Sequence, residues 1–329
     1  MAGDEVRDTS RGPVKLTNLD QPLFDGAGAT KRDLVDYLDA VSGPLVDRLR
    51  DRPLSVIRTL PRQPAFMQKN VPKYTPDWIP TVKLWAQSSH REVAYALCND
   101  RRTLLWFANQ RAVEYHPTLV RTGPDHDWRT QTDLILDLDP PEGGDAERAF
   151  GHAVAAAGLV RQALADAGLA GAVKTSGAKG LHVVVPLRAP ASGDDVAAAT
   201  RAVAARAERL DPGLATTAFI REDRGGKVFL DSTRAGGATV VAAYSPRVRP
   251  GVPVSFPVPW EELANVRPAD FTVRNAAALV GDGDPWAALL PEPQALPADL
   301  VAEGHTIPVA RVQAMHEGKR RKRAARPPL

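Results

Sequence analysis

Seven residues near the middle of the chain, Asp133-Leu134-Ile135-Leu136-Asp137-Leu138-Asp139, alternate polar and apolar almost without a break. A period of two belongs to a β-strand with one buried face. Leu134, Leu136 and Leu138 then face a core. Asp137 and Asp139 point the other way, about 6.6 Å apart along the strand. Neighbouring carboxylates repel unless one is protonated or a cation lies between them. Hard oxygen ligands suit Mg²⁺ or Mn²⁺, and ions held ~3.5–4 Å apart serve nucleotidyl transfer. A solvated acidic face on an ordinary amphipathic strand reads from the same pattern, and Asp-x-Asp alone does not separate the two.

The flanking text is a mixture of helices and strands. Thr30 offers an N-cap with Asp33 three residues on, followed by Leu34, Leu38, Val41, Leu45 and Leu49 at helical spacing. Pro44 should break or kink that helix. Short strands are expected at 54–59, 82–87 and 93–98, while 104–113 reads as helix, strand, or one then the other. Ala-rich helices are expected at about 145–167 and 194–210, and strands at 172–175, 181–187, 227–231 and 239–243. Spacing is not that of regular βαβ units, so the fold class is α+β, mixed α/β with an antiparallel component. Residues 1–13 read as a flexible N-terminus, 14–300 as the folded body and 301–329 as an extended tail.

Two further stretches carry chemistry. Lys174-Thr175-Ser176-Gly177-Ala178-Lys179-Gly180-Leu181-His182 reads as strand, Gly-punctuated turn and strand. Its backbone N–H groups, with Ser176, Lys179 and His182, suit a polyphosphate. It is not a P-loop, and an ordinary hairpin with a surface lysine is the plainer reading. Lys227-Val228-Phe229-Leu230-Asp231 is a strand ending in a carboxylate, with Tyr244, Ser245, Arg247 and Arg249 downstream. A strand-end aspartate is often only a turn cap.

In this order the motifs hhhDhD, S-G-x-K-G-x-H, V-F-h-D and Y-S-x-R-x-R resemble the archaeo-eukaryotic primase superfamily. More closely, they resemble the polymerase domains of bacterial ligase D and their stand-alone primase-polymerase relatives in end joining and gap repair. The likeness runs from about Leu16 to about residue 275 and includes Pro64-Ala65-Phe66 with Lys69, and Glu114-Tyr115-His116. It implies an antiparallel, RRM-like catalytic sheet with a smaller N-terminal α/β subdomain. It also implies template-directed nucleotidyl transfer in DNA repair, with ribonucleotides preferred and two Mn²⁺ or Mg²⁺ ions as cofactors. By the resemblance, Asp137, Asp139 and Asp231 hold both ions. Ser176, Lys179, His182, Arg247 and His116 meet the nucleotide, and Lys31, Phe66, Lys69 and Arg224 the nucleic acid. The implied partners are a primer–template or gapped duplex, NTP or dNTP, a separately encoded ligase and an end-binding protein.

The chain also departs from that pattern. Gln21 stands where relatives have a lysine for a 5′-phosphate across the gap, and a paired aromatic becomes Phe66-Met67. The relatives' D-W-S-Q-N reads Asp231-Ser232-Thr233-Arg234-Ala235. No adenylating K-x-D-G motif occurs in these 329 residues. Two other classes stay open. Leu134–Asp139 with Gly281-Asp282-Gly283-Asp284 also resembles haloacid-dehalogenase-type phosphohydrolases, with Asp137 as nucleophile. The third class is an inactive DNA-binding repair module.

Composition narrows the setting. The chain is 43% hydrophobic and 25% charged, ordinary for a globular protein. One cysteine, Cys98, excludes an internal disulfide and Cys-rich zinc modules. Met1 to Gly12 lacks the apolar core of a signal peptide, so a cytoplasmic location is expected. Net charge is +3, but 317–329 carries six cations against Glu317 alone, or +5, leaving −2 for residues 1–316. Such tails bind polyanions or stay solvated.

Overall fold

Thr30 caps the first helix as its sequence requires: Asp33 N–H donates to the Thr30 hydroxyl, and the Asp33 carboxylate accepts from Thr30 N–H at 2.7 Å. The computed structural model describes residues 3–86, 90–123, 129–143, 145–235 and 238–309. Its elements run β1 (Glu5–Arg7), β2 (Val14–Leu16), α1 (Lys31–Ala40), α2 (Ser42–Leu49), β3 (Pro53–Arg58), β4 (Phe66–Gln68), β5 (Thr81–Ala86) and β6 (Arg91–Leu97). Then come α3 (Arg101–Asn109), β7 (Ala112–Pro117), β8 (Thr130–Asp139), α4 (Ala146–Asp166), β9 (Ala172–Thr175), β10 (Leu181–Ser192) and α5 (Gly193–Leu210). The chain closes with β11 (Ala215–Thr216), β12 (Val228–Asp231), β13 (Pro257–Val258), α6 (Ala276–Val280), α7 (Pro285–Leu289) and α8 (Ala298–Thr306).

These elements make two units whose sequence segments interleave. The first comprises Met1–Thr130, Lys174–Ala178 and Gly237–Leu289; the second comprises Gln131–Val173, Lys179–Gly236 and Leu290–Leu329. In the first, an antiparallel sheet runs β4-β3-β6-β5 with β7 also paired to β3. Helices α1, α2 and α3 bury Leu34, Leu38, Leu45, Leu49, Leu104 and Leu105 there, each worth roughly 1.5–3 kcal/mol on leaving water. Pro44 lies in the first turn of α2, where its missing N–H costs nothing, so the helical run divides at Val41.

In the second unit the strands run β11-β12-β8-β10-β9, with α4 and α5 packed on the sheet. Ala153, Ala156, Ala157 and Ala163 on α4, and Ala198, Ala199 and Ala202 on α5, are buried, and small side chains let helix and sheet backbones approach closely. Asp145 and Ser192 cap the two helices by accepting from Arg148 N–H and Asp195 N–H. The mixed architecture with antiparallel pairing agrees with the α+β expectation. Strand β9 straddles the division: Ala172–Val173 belong to the second unit, and Lys174–Thr175 to the first, where Thr175 N–H donates to Phe256 O.

Three sequence expectations are corrected. Residues 1–13 are not featureless, because Glu5–Arg7 pairs antiparallel with Val14–Leu16 and Arg7 meets Glu5, Asp36 and Asp39. Residues 239–243 form no strand. They run beside β7 through Val240 N–H to Pro117 O and Ala242 N–H to Tyr115 O, with Thr118 and Thr239 as an isolated bridge, not a regular ladder. The expected tail from 301 begins as helix: α8 continues to Thr306, tied to α5 by Arg206–Glu303, Arg209–Glu303 and His305–Asp195. The basic run 317–329 lies outside the described residues. Among the described residues no helix is long and apolar enough to cross a membrane.

Candidate active site

Strands β8 and β12 pair antiparallel with Asp231 opposite Asp137 and Phe229 opposite Asp139. Directly opposed residues share a face of the sheet, so all three aspartates project from one side, away from buried Leu134, Leu136 and Leu138. Asp231 is fixed by the turn that follows it, since its Oδ1 accepts from Thr233 N–H at 2.8 Å and from the Thr233 hydroxyl at 2.6 Å. Asp137 is contacted from two sides. His182 Nε2, near the start of β10, lies 3.3 Å from Asp137 Oδ1. The Arg234 guanidinium meets Asp137 Oδ2 through Nη2 at 3.0 Å and Asp231 Oδ2 through Nε at 3.1 Å. Burial, then the charges of Asp137 and Asp231, push the Asp139 carboxyl up to about 6, against the opposing pull of Arg234 and Arg224.

The donor set fits a hard divalent cation: three carboxylates crowd one face of the sheet, and oxygen ligands of that kind suit Mg²⁺ or Mn²⁺. Asp137, Asp139 and Asp231 would hold it. Among the described residues, however, no three acidic, His or Cys side chains already converge on a cation position. Arg234 takes up carboxylate oxygens that a metal would need.

The Gly-punctuated turn is sterically bound to its place. A Cβ on Gly180 would stand 2.1 Å from the carbonyl oxygen of Leu138, so only glycine lets the chain lie against β8 between the two aspartates. Gly177 has φ +68°, and a Cβ there would stand 2.7 Å from Ser255 N. Lys179 is exposed.

In the first unit, three of the expected nucleotide residues are joined by Glu114, a member of the Glu114-Tyr115-His116 motif to which the sequence assigned no role. Glu114 and His116 share a face of β7, two residues apart. Glu114 Oε2 lies 2.8 Å from His116 Nε2 and 3.0 Å from Arg247 Nε, while Oε1 accepts from Val248 N–H at 2.8 Å. Arg247 Nη1 in turn donates to the Ser176 carbonyl. Burial alone would raise the Glu114 carboxyl, but His116, Arg247 and the Val248 N–H outweigh it and hold it below the usual carboxylate range. The signal for Glu114 was its i, i+2 spacing from His116 on a strand.

The nucleic-acid residues divide. Phe66 and Lys69 are exposed, Phe66 on β4 with the Arg58 guanidinium 5.9 Å from its ring centroid. Arg224 lies 3.7 Å over the Phe229 ring and donates to Ala218 O and Phe219 O; with Asp139, Arg221 and Lys227 it lines a cavity of about 220 Å³. Lys31 does not match its expected role. Only 3% exposed, it donates to Thr17 O at 2.6 Å and to Asn109 Oδ1 at 2.7 Å, so its amine ties the N-terminal segment to α3.

A family model for the LigD primase-polymerase domain matches residues 30–286. This chain belongs to that family. It is 34% identical over 267 residues to the multifunctional non-homologous end joining protein LigD of Mycobacterium bovis, covering 76% of this chain and 33% of that one. It is 32% identical over 265 residues to the bifunctional LigD of Bacillus subtilis, covering 79% and 41%. The chain thus spans a third to two-fifths of these LigD proteins. Among solved structures, the polymerase domain of Mycobacterium tuberculosis ligase D in complex with DNA superposes with a TM-score of 0.75 at 32% identity, over 84% of this chain and 97% of that one. Membership of the LigD primase-polymerase family displaces the phosphohydrolase reading. Asp284, its late acidic residue, accepts from Tyr244 Oη at 2.6 Å and from Trp286 N–H at the start of α7.

Proposed function

We propose that this chain is a template-directed nucleotidyltransferase that fills short gaps or extends ends in DNA repair, drawing on NTP or dNTP with ribonucleotides preferred. The observation that carries this reading is the β8–β12 register, which sets Asp231 opposite Asp137 with Asp139 on the same face. Two Mn²⁺ or Mg²⁺ ions held by these aspartates would supply charge neutralisation for in-line phosphoryl transfer. Burial of Leu134, Leu136 and Leu138 holds the acidic strand rigid behind the carboxylates. His182 orients Asp137, and Thr233 orients Asp231. Exposed Lys179 offers a point charge to a triphosphate. Within the first unit, Glu114 holds His116 and Arg247 in fixed orientation. Phe66 supplies an exposed face on which a template base would stack, and Lys69 a charge for its backbone.

Incubation with a fluorescent primer–template, Mn²⁺ and each nucleotide tests the reading directly. Extension should occur and should disappear in Asp137→Ala, Asp139→Ala and Asp231→Ala, while nucleic-acid binding stays nearly unchanged. Normal extension by a correctly folded Asp139→Ala protein refutes the assignment.

A further inference from the structure

The Arg234 guanidinium occupies the place of a counter-ion. It reaches Asp137 Oδ2 and Asp231 Oδ2 at once, at 3.0 and 3.1 Å, bridging the two strands that carry the carboxylates. Its backbone follows Thr233, which is itself anchored on Asp231, so the turn delivers the guanidinium to this position. A guanidinium keeps its charge in proteins, so these two contacts set a fixed cation against the paired carboxylates. The side chain nevertheless remains 33% exposed, which leaves it a path into solvent.

A divalent cation and this guanidinium need the same oxygen lone pairs. Metal–oxygen distances of ~2.0–2.2 Å leave no room for N–H donors aimed at those oxygens. A planar, forked cation takes one oxygen from each carboxylate, Asp137 Oδ2 and Asp231 Oδ2, the oxygens a bridging ion would use. We propose that Arg234 is a built-in counter-ion that closes the carboxylate site and must be expelled before a divalent cation can bind. The inference rests on the proposed function, in which these aspartates are the metal ligands. Only molecules with Arg234 swung out are competent, so the measured metal affinity is the intrinsic one scaled down by that open fraction. Residue 234 thereby sets the concentration of Mn²⁺ or Mg²⁺ at which the enzyme switches on.

The test is Mn²⁺ binding to the chelator-stripped full chain without nucleotide or DNA, read from loss of the free-ion electron paramagnetic resonance signal. Arg234→Gln keeps a hydrogen-bond donor and removes the charge; it should bind Mn²⁺ at least tenfold more tightly than the wild type. Arg234→Lys, a cation without the planar fork, should fall between. Arg234→Gln should also melt lower than wild type in chelator and recover in saturating Mn²⁺. In the wild type, slow hydrogen exchange at Arg234 Nε, assigned by nuclear magnetic resonance from its absence in Arg234→Lys, should become fast on adding Mg²⁺. If wild type binds Mn²⁺, Asp139→Ala does not, and Arg234→Gln binds no more tightly, the counter-ion role is overturned while the metal site stands. Slow Nε exchange that persists in saturating Mg²⁺ overturns it equally. If neither wild type nor Arg234→Gln binds Mn²⁺, the metal site itself falls and the inference with it.

Discussion

Lys31 and Gln21 show how differently two residues of one segment meet their surroundings. Burial, aided by nearby Arg111, pushes the Lys31 ammonium down to about 8. The unfolded chain holds that proton up to roughly 10.4, so between these values the unfolded state binds more protons and stability rises with pH. Lys31→Met, which carries no proton, should lose that rise, on the order of 2 kcal/mol; urea unfolding of both proteins from pH 7.5 to 10 measures it. Gln21 is exposed on the rim of a cavity of about 620 Å³ that Arg62 and Arg111 also line, with Arg111 Nη1 donating to its Oε1 at 3.5 Å. A neutral donor grips phosphate less well than a charged one, by on the order of 1 kcal/mol or about fivefold. Wild type should therefore gain only modestly when a gapped substrate bears a 5′-phosphate, and Gln21→Lys should gain several-fold more in binding curves on the two substrates. Strand periodicity was enough to set Asp137 and Asp139 on one face, as the β8–β12 register has them. Local pattern could not foretell that Lys31 is buried, because Thr17 O and Asn109 come to it from elsewhere in the chain.

At the scale of elements, the site depends on register. A slip of one residue between β8 and β12 would turn Asp231 to the opposite face from Asp137. The Gly180 turn presses on the same strand, so Gly180→Ala, with its Cβ 2.1 Å from Leu138 O, must push β8 or the turn aside. It should cost at least 2 kcal/mol in urea unfolding, within the range for backbone strain and overpacking. Primer extension should fall well beyond what the lost stability explains. Most elements were readable from periodicity: α1, α4, α5, β3, β8 and β12 fall where spacing and caps place them. Thr239–Ala243 misled because Val and Thr favour strands, whereas the actual partner, β7, meets it through scattered hydrogen bonds. The α8 helix was missed because it has no side-chain cap, and its contacts with α5, a hundred residues earlier, leave no local mark.

For the whole molecule, charge distribution and chain path matter most. The body of residues 1–316 is net −2 while 317–329 is net +5. If those cations meet nucleic-acid phosphates, truncation before Glu317 should flatten the plot of log K against log salt, by up to about 4 units for six contacts at ~0.7 each on single strands. Extension at saturating DNA should survive the truncation. Identical salt plots would leave the tail merely solvated. The chain crosses between its two units five times, at 130/131, 173/174, 178/179, 236/237 and 289/290. The first unit, whose earliest segment is Met1–Thr130, therefore has all its segments only once the chain has been made through Leu289. No single cut inside 1–289 leaves all the segments of the first unit on one piece of chain, so proteolysis there severs a unit and never merely parts two.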